Sequence, residues 1–172
     1  MIKIFLFVLL LMLINATVIL GQTSIISKMS SKITEKQLKK KLIERRNGIA
    51  FYENIRNKLI DKDSLSFIDT CDTVYFLETY DLETGISYGR VWNNRKAISY
   101  EYLKDEFTFS DISFFDPETL KLVQAWDVSS IRKHESENST MISPLTIFAS
   151  RAVLNRGKIV VDCLRFEEFY IR

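Results

Sequence analysis

The stretch TVYFLETYDLETGISYGRVW, residues 73–92, contains two runs of β-branched and aromatic residues separated by a short polar loop. Such runs favour strands, and Gly85 in the loop suits the positive φ that hairpin loops require. The stretch AISYEYL, residues 97–103, follows with the alternation of a third strand. The centre of the chain is therefore predicted to be an antiparallel sheet built from hairpins.

A second stretch, FDPETLKLVQAW (residues 115–126), shares the frame aromatic-Asp-x-Glu-Thr with this hairpin, and both end in tryptophan, at Trp92 and Trp126. DPET suits a type I turn, and alternate residues after it would place apolar side chains on one side of a strand. We therefore predict a strand over residues 120–126 that completes a five-strand meander. Duplication and convergent turn chemistry explain the shared frame equally well.

A helical pattern precedes the sheet, over residues 34–61. Thr34 and Gln37 have the spacing of a capping box, and apolar residues then recur at helical intervals. This pattern predicts one long N-terminal helix, either continuous or broken at Asn47-Gly48. Residues 22–33 are expected to form a polar leader ahead of it.

The C-terminal part is predicted to hold a short helix and a returning strand. Ser143 and Pro144 suit the N-cap and first position of a helix that Gly157 would end, and residues 158–171 read as a strand. The sum is a single α+β domain over residues 34–172. This order of elements resembles a cone-like or cystatin-like layout, by analogy of fold alone.

Residues 1–21 combine one lysine, a short apolar run and small residues before a polar segment. This order is typical of a secretory signal peptide. We predict cleavage after Gly21, with Ala16 as second choice, and an exported protein in the periplasm, the cell envelope or the medium. The alternative is an uncleaved anchor, since residues 4–20 approach the length of a tilted membrane span. After processing, no stable membrane span is expected.

The chain has two cysteines, Cys71 and Cys163, each beside an aspartate. A neighbouring negative charge disfavours the thiolate that a catalytic cysteine requires. Export to an oxidising compartment favours a disulfide between the two. Two buried free thiols are the alternative.

No sequence motif of a known catalytic centre occurs, and no cofactor is predicted. With the single histidine His134, an ordinary zinc site cannot be built. Carboxylate pairs such as Asp105-Glu106 and Glu167-Glu168 leave open a hydrolase whose acids meet in a sheet cleft. The basic run Lys36–Arg46 lacks interleaved aromatic residues, so it is interpreted as a solvated helix face and no nucleic-acid partner is expected.

The remaining distinctive feature is the aromatic content of the predicted strands. If one sheet face is open, four of these residues could form a binding surface for a protein, peptide or glycan: Tyr88, Trp92, Tyr100 and Trp126. The leading hypothesis is therefore a small exported, non-enzymatic binding module. A hydrolase and a purely structural envelope protein are the alternatives.

Overall fold

A computed structural model of the protein describes residues 25–42, 46–61, 73–81, 84–137 and 144–169. The described helices are α1 (residues 25–39), α2 (Arg46–Asp61), α3 (Pro117–Ala125) and α4 (Val128–Glu137). The described strands are β1 (Thr73–Asp81), β2 (Ile86–Trp92), β3 (Ala97–Leu103), β4 (Glu106–Ser110), β5 (Pro144–Asn155) and β6 (Lys158–Phe169).

All six strands form one antiparallel sheet in the order β4-β3-β2-β1-β5-β6. The first four strands make the meander, and the β5–β6 hairpin returns to lie on the other side of β1. The predicted α+β class and helix-then-meander order are confirmed. The meander has one strand fewer than predicted, and the C-terminal region has one more.

Helices cover both faces of the sheet. Successive residues of β1 point to opposite faces, with Tyr75 and Leu77 on one side and Phe76 and Glu78 on the other. The core between the sheet and α1–α2 includes Ile26, Met29, Ile33, Ile55, Leu59 and Phe76. The core between the sheet and α3–α4 includes Tyr75, Leu77, Trp92, Val123, Trp126, Ile131 and Leu164.

Helix α1 begins earlier than the predicted N-terminal helix. Residues 25–33, expected in a polar leader, are helical, and Thr34 lies inside the helix, where its hydroxyl donates to the Ser30 carbonyl. Its capping-box role is therefore wrong. The helical region is also divided earlier than expected, because a turn begins at residue 40 and Asn47-Gly48 lies inside α2.

The predicted strand over residues 120–126 is wrong, because this segment belongs to helix α3 and its C-cap. Asp116 is the N-cap, and its carboxylate accepts from the N–H groups of Glu118 and Thr119. Pro117 begins the helix, and Trp126 ends it with a left-handed backbone, φ 54°. The comparison between Trp92 and Trp126 as ends of equivalent strands therefore fails.

The C-terminal helix prediction is also wrong, since residues 144–155 form strand β5. This strand lies between β1 and β6 and is buried on both faces, with Ile147 and Ala149 on one side and Ser150 and Ala152 on the other. Helix α4 lies between α3 and this strand, and Asp127 caps it by accepting from the Ser130 N–H.

Two predictions fall outside the described residues: the signal peptide at residues 1–21 and the position of Cys71. Within the described ranges, no helix has the length and apolarity that crossing a membrane requires.

Candidate functional site

A polar cluster lies beneath α1 and α2, centred on an ion pair between Arg56 of α2 and Glu78 of β1. The Arg56 Nη1 donates to both carboxylate oxygens, at 2.8 and 2.6 Å, and each side chain is 1 % exposed. Helix α1 supplies two hydroxyls: Nε donates to Ser30 and Nη2 to Thr34. We call these four residues the polar cluster. They join both helices to the sheet.

Two further polar side chains border the polar cluster. The Tyr100 hydroxyl is buried and has no hydrogen-bond partner among the described residues. The Gln37 amide is buried beside Glu78, where it lowers the pKa of that carboxyl. Tyr100 lies over Gly89, its neighbour on β2, and a Cβ at Gly89 would come within 2.0 Å of the tyrosine Cζ. Gly89 is itself paired with Glu78 on β1. The glycine therefore makes room for the tyrosine ring.

Burial governs the protonation of this region. It raises the pKa of the Glu78 carboxyl, and the Arg56 charge opposes that rise. It also raises the pKa values of the Tyr52 and Tyr100 hydroxyls, with the Glu78 charge adding to the effect. A raised carboxyl pKa suits a general acid. A catalytic acid also needs access to substrate, and the polar cluster has almost no exposed surface.

Cys163 of β6 is a free, buried thiol beside the polar cluster. It accepts from the Ser150 hydroxyl at 3.4 Å and donates to the Ile33 carbonyl at 3.9 Å. Burial raises the pKa of the Cys163 thiol to about 11. The thiol is therefore protonated and enclosed at neutral pH, as expected for a core residue and not for a nucleophile.

The strand register limits the distance over which the predicted disulfide between Cys71 and Cys163 could form. Cys163 is aligned, across Ser150 of β5, with Phe76 of β1. Thr73 lies two strands away from Cys163 and three residues before Phe76. These offsets correspond to about 14 Å between the Cα atoms of Thr73 and Cys163. Since two residues span at most about 7 Å, Cys71 reaches bonding distance only at the limit of disulfide geometry. The structure does not show the bond, and the pairing stays a prediction.

The aromatic residues predicted to bind a partner do not form one surface. Trp92 and Trp126 lie in the core under α3–α4, and Tyr100 lies in the core under α1–α2. The binding surface required an open sheet face, and this condition is not met for the two indoles, because helices cover both faces and both side chains are buried. Tyr88 is half-buried and stacks on Phe114, with ring centroids 4.0 Å apart.

Three of the exposed large apolar side chains lie at strand β4 and in the loop after it. Phe109 is 43 % exposed in the middle of β4, and Ile112 is 81 % exposed two residues beyond the strand. Phe114 is also exposed beside Tyr88. We call the outer side of β4 together with Phe109, Ile112 and Phe114 the β4 edge.

The turn before β4 fixes which backbone groups point outward. Lys104 and Asp105 both have positive φ, 47° and 68°, and a two-residue turn directs the Glu106 N–H back toward β3. Since orientation alternates along a strand, the N–H and C=O of Phe109 point away from the sheet. Within the described residues, no partner bonds to these two groups.

In the middle of the opposite edge strand, β6, the outward backbone groups of Cys163 are occupied. The Cys163 N–H donates to the Asp162 carboxylate at 3.0 Å, and the Cys163 C=O accepts from Lys40 at 2.9 Å. Lys40 also pairs with Asp162, and Arg165 donates to the Leu42 carbonyl. Charged side chains from β6 and from the turn after α1 therefore oppose strand addition at the middle of β6.

No metal centre is indicated, since the described residues contain no group of three His, Cys, Asp or Glu side chains that could hold an ion. No protein-family model matches the sequence, and neither curated proteins nor solved structures give a match.

The β4 edge was not predicted from the sequence, because Phe107-Thr108-Phe109 has the composition of a buried strand. No local sequence signal could have found it, because the strand order decides which strand lies at the edge of the sheet.

Proposed function

We propose that this protein is a non-enzymatic interaction module that binds another polypeptide as an added strand along the β4 edge. The observation that carries the proposal is Phe109, an exposed aromatic residue of an edge strand, whose own outward N–H and C=O have no partner among the described residues. An added strand obtains affinity from main-chain hydrogen bonds and specificity from alternate side chains.

The polar cluster gives less support to the hydrolase alternative. Glu78 is paired with an arginine and not with a second carboxylate, and both side chains are enclosed. A glycan partner is also less suited, because Trp92 and Trp126, the rings expected to stack on a sugar, are buried. A purely structural envelope protein differs from this proposal in predicting no dependence on Phe109.

A site-specific crosslinking experiment tests the binding surface. A photoreactive amino acid replaces the exposed Thr108 of β4 in the full chain, and the matched control carries it at Val160 of β6, which is 62 % exposed. After irradiation in the native fraction, we expect a polypeptide adduct from position 108 and none from position 160. Equal adducts at both positions, or none at position 108, would contradict the proposal.

The proposal includes export, which the apolar run of residues 4–14 and the small residues after it support. Mass spectrometry of the native protein should show a chain that begins at Gln22. An intact Met1 in the membrane fraction would instead support the uncleaved anchor.

A further inference from the structure

We infer that the polypeptide added at the β4 edge is a second copy of this chain, paired antiparallel with β4 about a twofold axis at Thr108. This inference rests on the proposed function and names its partner. Its premise is the position of β4 as a terminal strand of the sheet, with Phe109 exposed at its centre.

The residues of β4 are self-complementary. The sequence Phe107-Thr108-Phe109 is the same in both directions, so antiparallel self-pairing places Phe109 opposite Phe107 of the second copy and Thr108 opposite itself. Aromatic pairs and threonine pairs stabilise adjacent strands. Phe107 and Phe109 already stack with a ring separation of 5.7 Å, so pairing would extend this aromatic stack across the axis.

The charges of β4 permit this pairing. Glu106 is the only charged residue of the strand, and it would face Ser110 of the second copy. Beyond the strand, Asp105 would approach Asp111 of the second copy. Asp105 is paired with Lys58 at 2.5 Å, which offsets its charge. No like-charged pair is therefore formed within the strand itself.

The β6 edge explains why such an assembly would close at two copies. A twofold contact uses the same surface on both partners, so β4–β4 pairing leaves only the two β6 edges at the ends of the combined sheet. Lys40 and Asp162 occupy the outward groups of β6 at Cys163. These contacts oppose the addition of further copies at the middle of β6, and the expected product is a dimer and not a fibre.

Sedimentation velocity of the full chain over a range of concentrations tests the dimer. We expect the wild type to sediment at twice the monomer mass, and Phe109→Lys to raise the dissociation constant by about thirtyfold or more, as for loss of an interface hot spot. The matched control, Val160→Lys, adds the same charge at the other edge and should dimerise like the wild type. A dimer that Phe109→Lys leaves unchanged would overturn the inference.

The register has its own test. Residues opposite each other in a non-hydrogen-bonded antiparallel pair have Cα atoms about 4.5 Å apart, within disulfide range. Thr108→Cys should therefore crosslink two copies under mild oxidation, whereas Glu106→Cys, opposite Ser110, should not. Crosslinking through position 106 and not 108 would refute the stated pairing.

The two proposals fail in distinguishable ways. A wild type that is monomeric at all concentrations overturns the second copy as partner. The proposed function survives that result if position 108 still gives an adduct with a different polypeptide, and it falls if no adduct forms.

Discussion

The polar cluster under α1–α2 and the β4 edge are opposites in composition and access. The polar cluster contains an ion pair and two hydroxyls, and its charged side chains are 1 % exposed. The β4 edge presents Phe109 and Ile112 to solvent, and strand β4 itself has a single charge, Glu106. The ion pair of the polar cluster is therefore enclosed, whereas the apolar side chains of the β4 edge are accessible to solvent.

The difference predicts that the polar cluster contributes to stability and that the β4 edge contributes to association. A buried charge pair holds the helices and sheet in one arrangement, because neither charge can be left alone in the interior. Exposed apolar residues on an edge strand add little to folding and offer surface to a partner. Substitutions in the polar cluster should therefore unfold the protein, and substitutions at the β4 edge should change association alone.

The largest effect is expected from Glu78→Gln. This change leaves the Arg56 charge buried without a counter-charge and should lower the free energy of unfolding by about 3–5 kcal/mol. Urea denaturation measures the loss, and Glu101→Gln on the other sheet face, half-buried and outside the polar cluster, is the control. If Glu78→Gln lowers the free energy of unfolding no more than the control does, the ion pair does not stabilise the fold.

A smaller effect is expected at alkaline pH from Cys163. Burial raises the folded-state pKa of this thiol from 9.0 to about 11, so between these values the unfolded chain releases a proton that the folded chain retains. The free energy of unfolding should therefore fall by up to about 2.7 kcal/mol as pH rises through this window. Cys163→Ala should remove this part of the alkaline loss in urea titrations.

The same residue tests the predicted disulfide. Alkylation in denaturant without reduction should label both Cys71 and Cys163 if the thiols are free. Absence of label on both, together with an alkaline loss that Cys163→Ala does not alter, would establish the bond and contradict the free thiol of the structure.

Gly89→Ala should cost about 1–3 kcal/mol, the range for overpacking a core. The new methyl group would collide with the ring of Tyr100. A double-mutant cycle gives the test, because in a Tyr100→Ala background the glycine substitution should cost much less. Equal costs in both backgrounds would show that Tyr100 is not the reason for the glycine.

The smallest effect on stability is expected at the β4 edge. Ile112→Ser should change the free energy of unfolding by no more than about 0.5 kcal/mol, as for other exposed positions, because this side chain is 81 % exposed. Urea denaturation below the concentration of association is the measurement. A loss comparable to that of Glu78→Gln would place Ile112 in the folded core and erase the difference between the two regions.

The sequence predicted the strands whose faces differ in composition or whose turns are distinctive. The β1–β2 hairpin and β3 were found from alternation and Gly85. Strand β5 was mistaken for a helix because both of its faces are buried, which removes the alternation that reveals a strand. Helix α3 was mistaken for a strand although Asp116 and Pro117 are a standard helix start.

The candidate site was harder to predict for a physical reason. Helix α1 buries Ser30, Thr34 and Gln37 within its apolar stripe, so its buried face reads as polar in the sequence. The ion pair joins Arg56 and Glu78 across separate elements, and no local pattern reveals such a pair. Which strand lies at the sheet edge is set by topology, so the exposure of Phe109 could not be inferred before the strand order was known.

Amide hydrogen exchange at Phe109 tests the central claim most directly, because its N–H points outward from β4. We expect this amide to exchange quickly in dilute protein and to become protected as the assembly forms, while the Cys163 amide, bonded to Asp162, is protected throughout. In Phe109→Lys the amide at position 109 should stay unprotected. A Phe109 amide that remains unprotected in the assembled protein would contradict strand addition at the β4 edge.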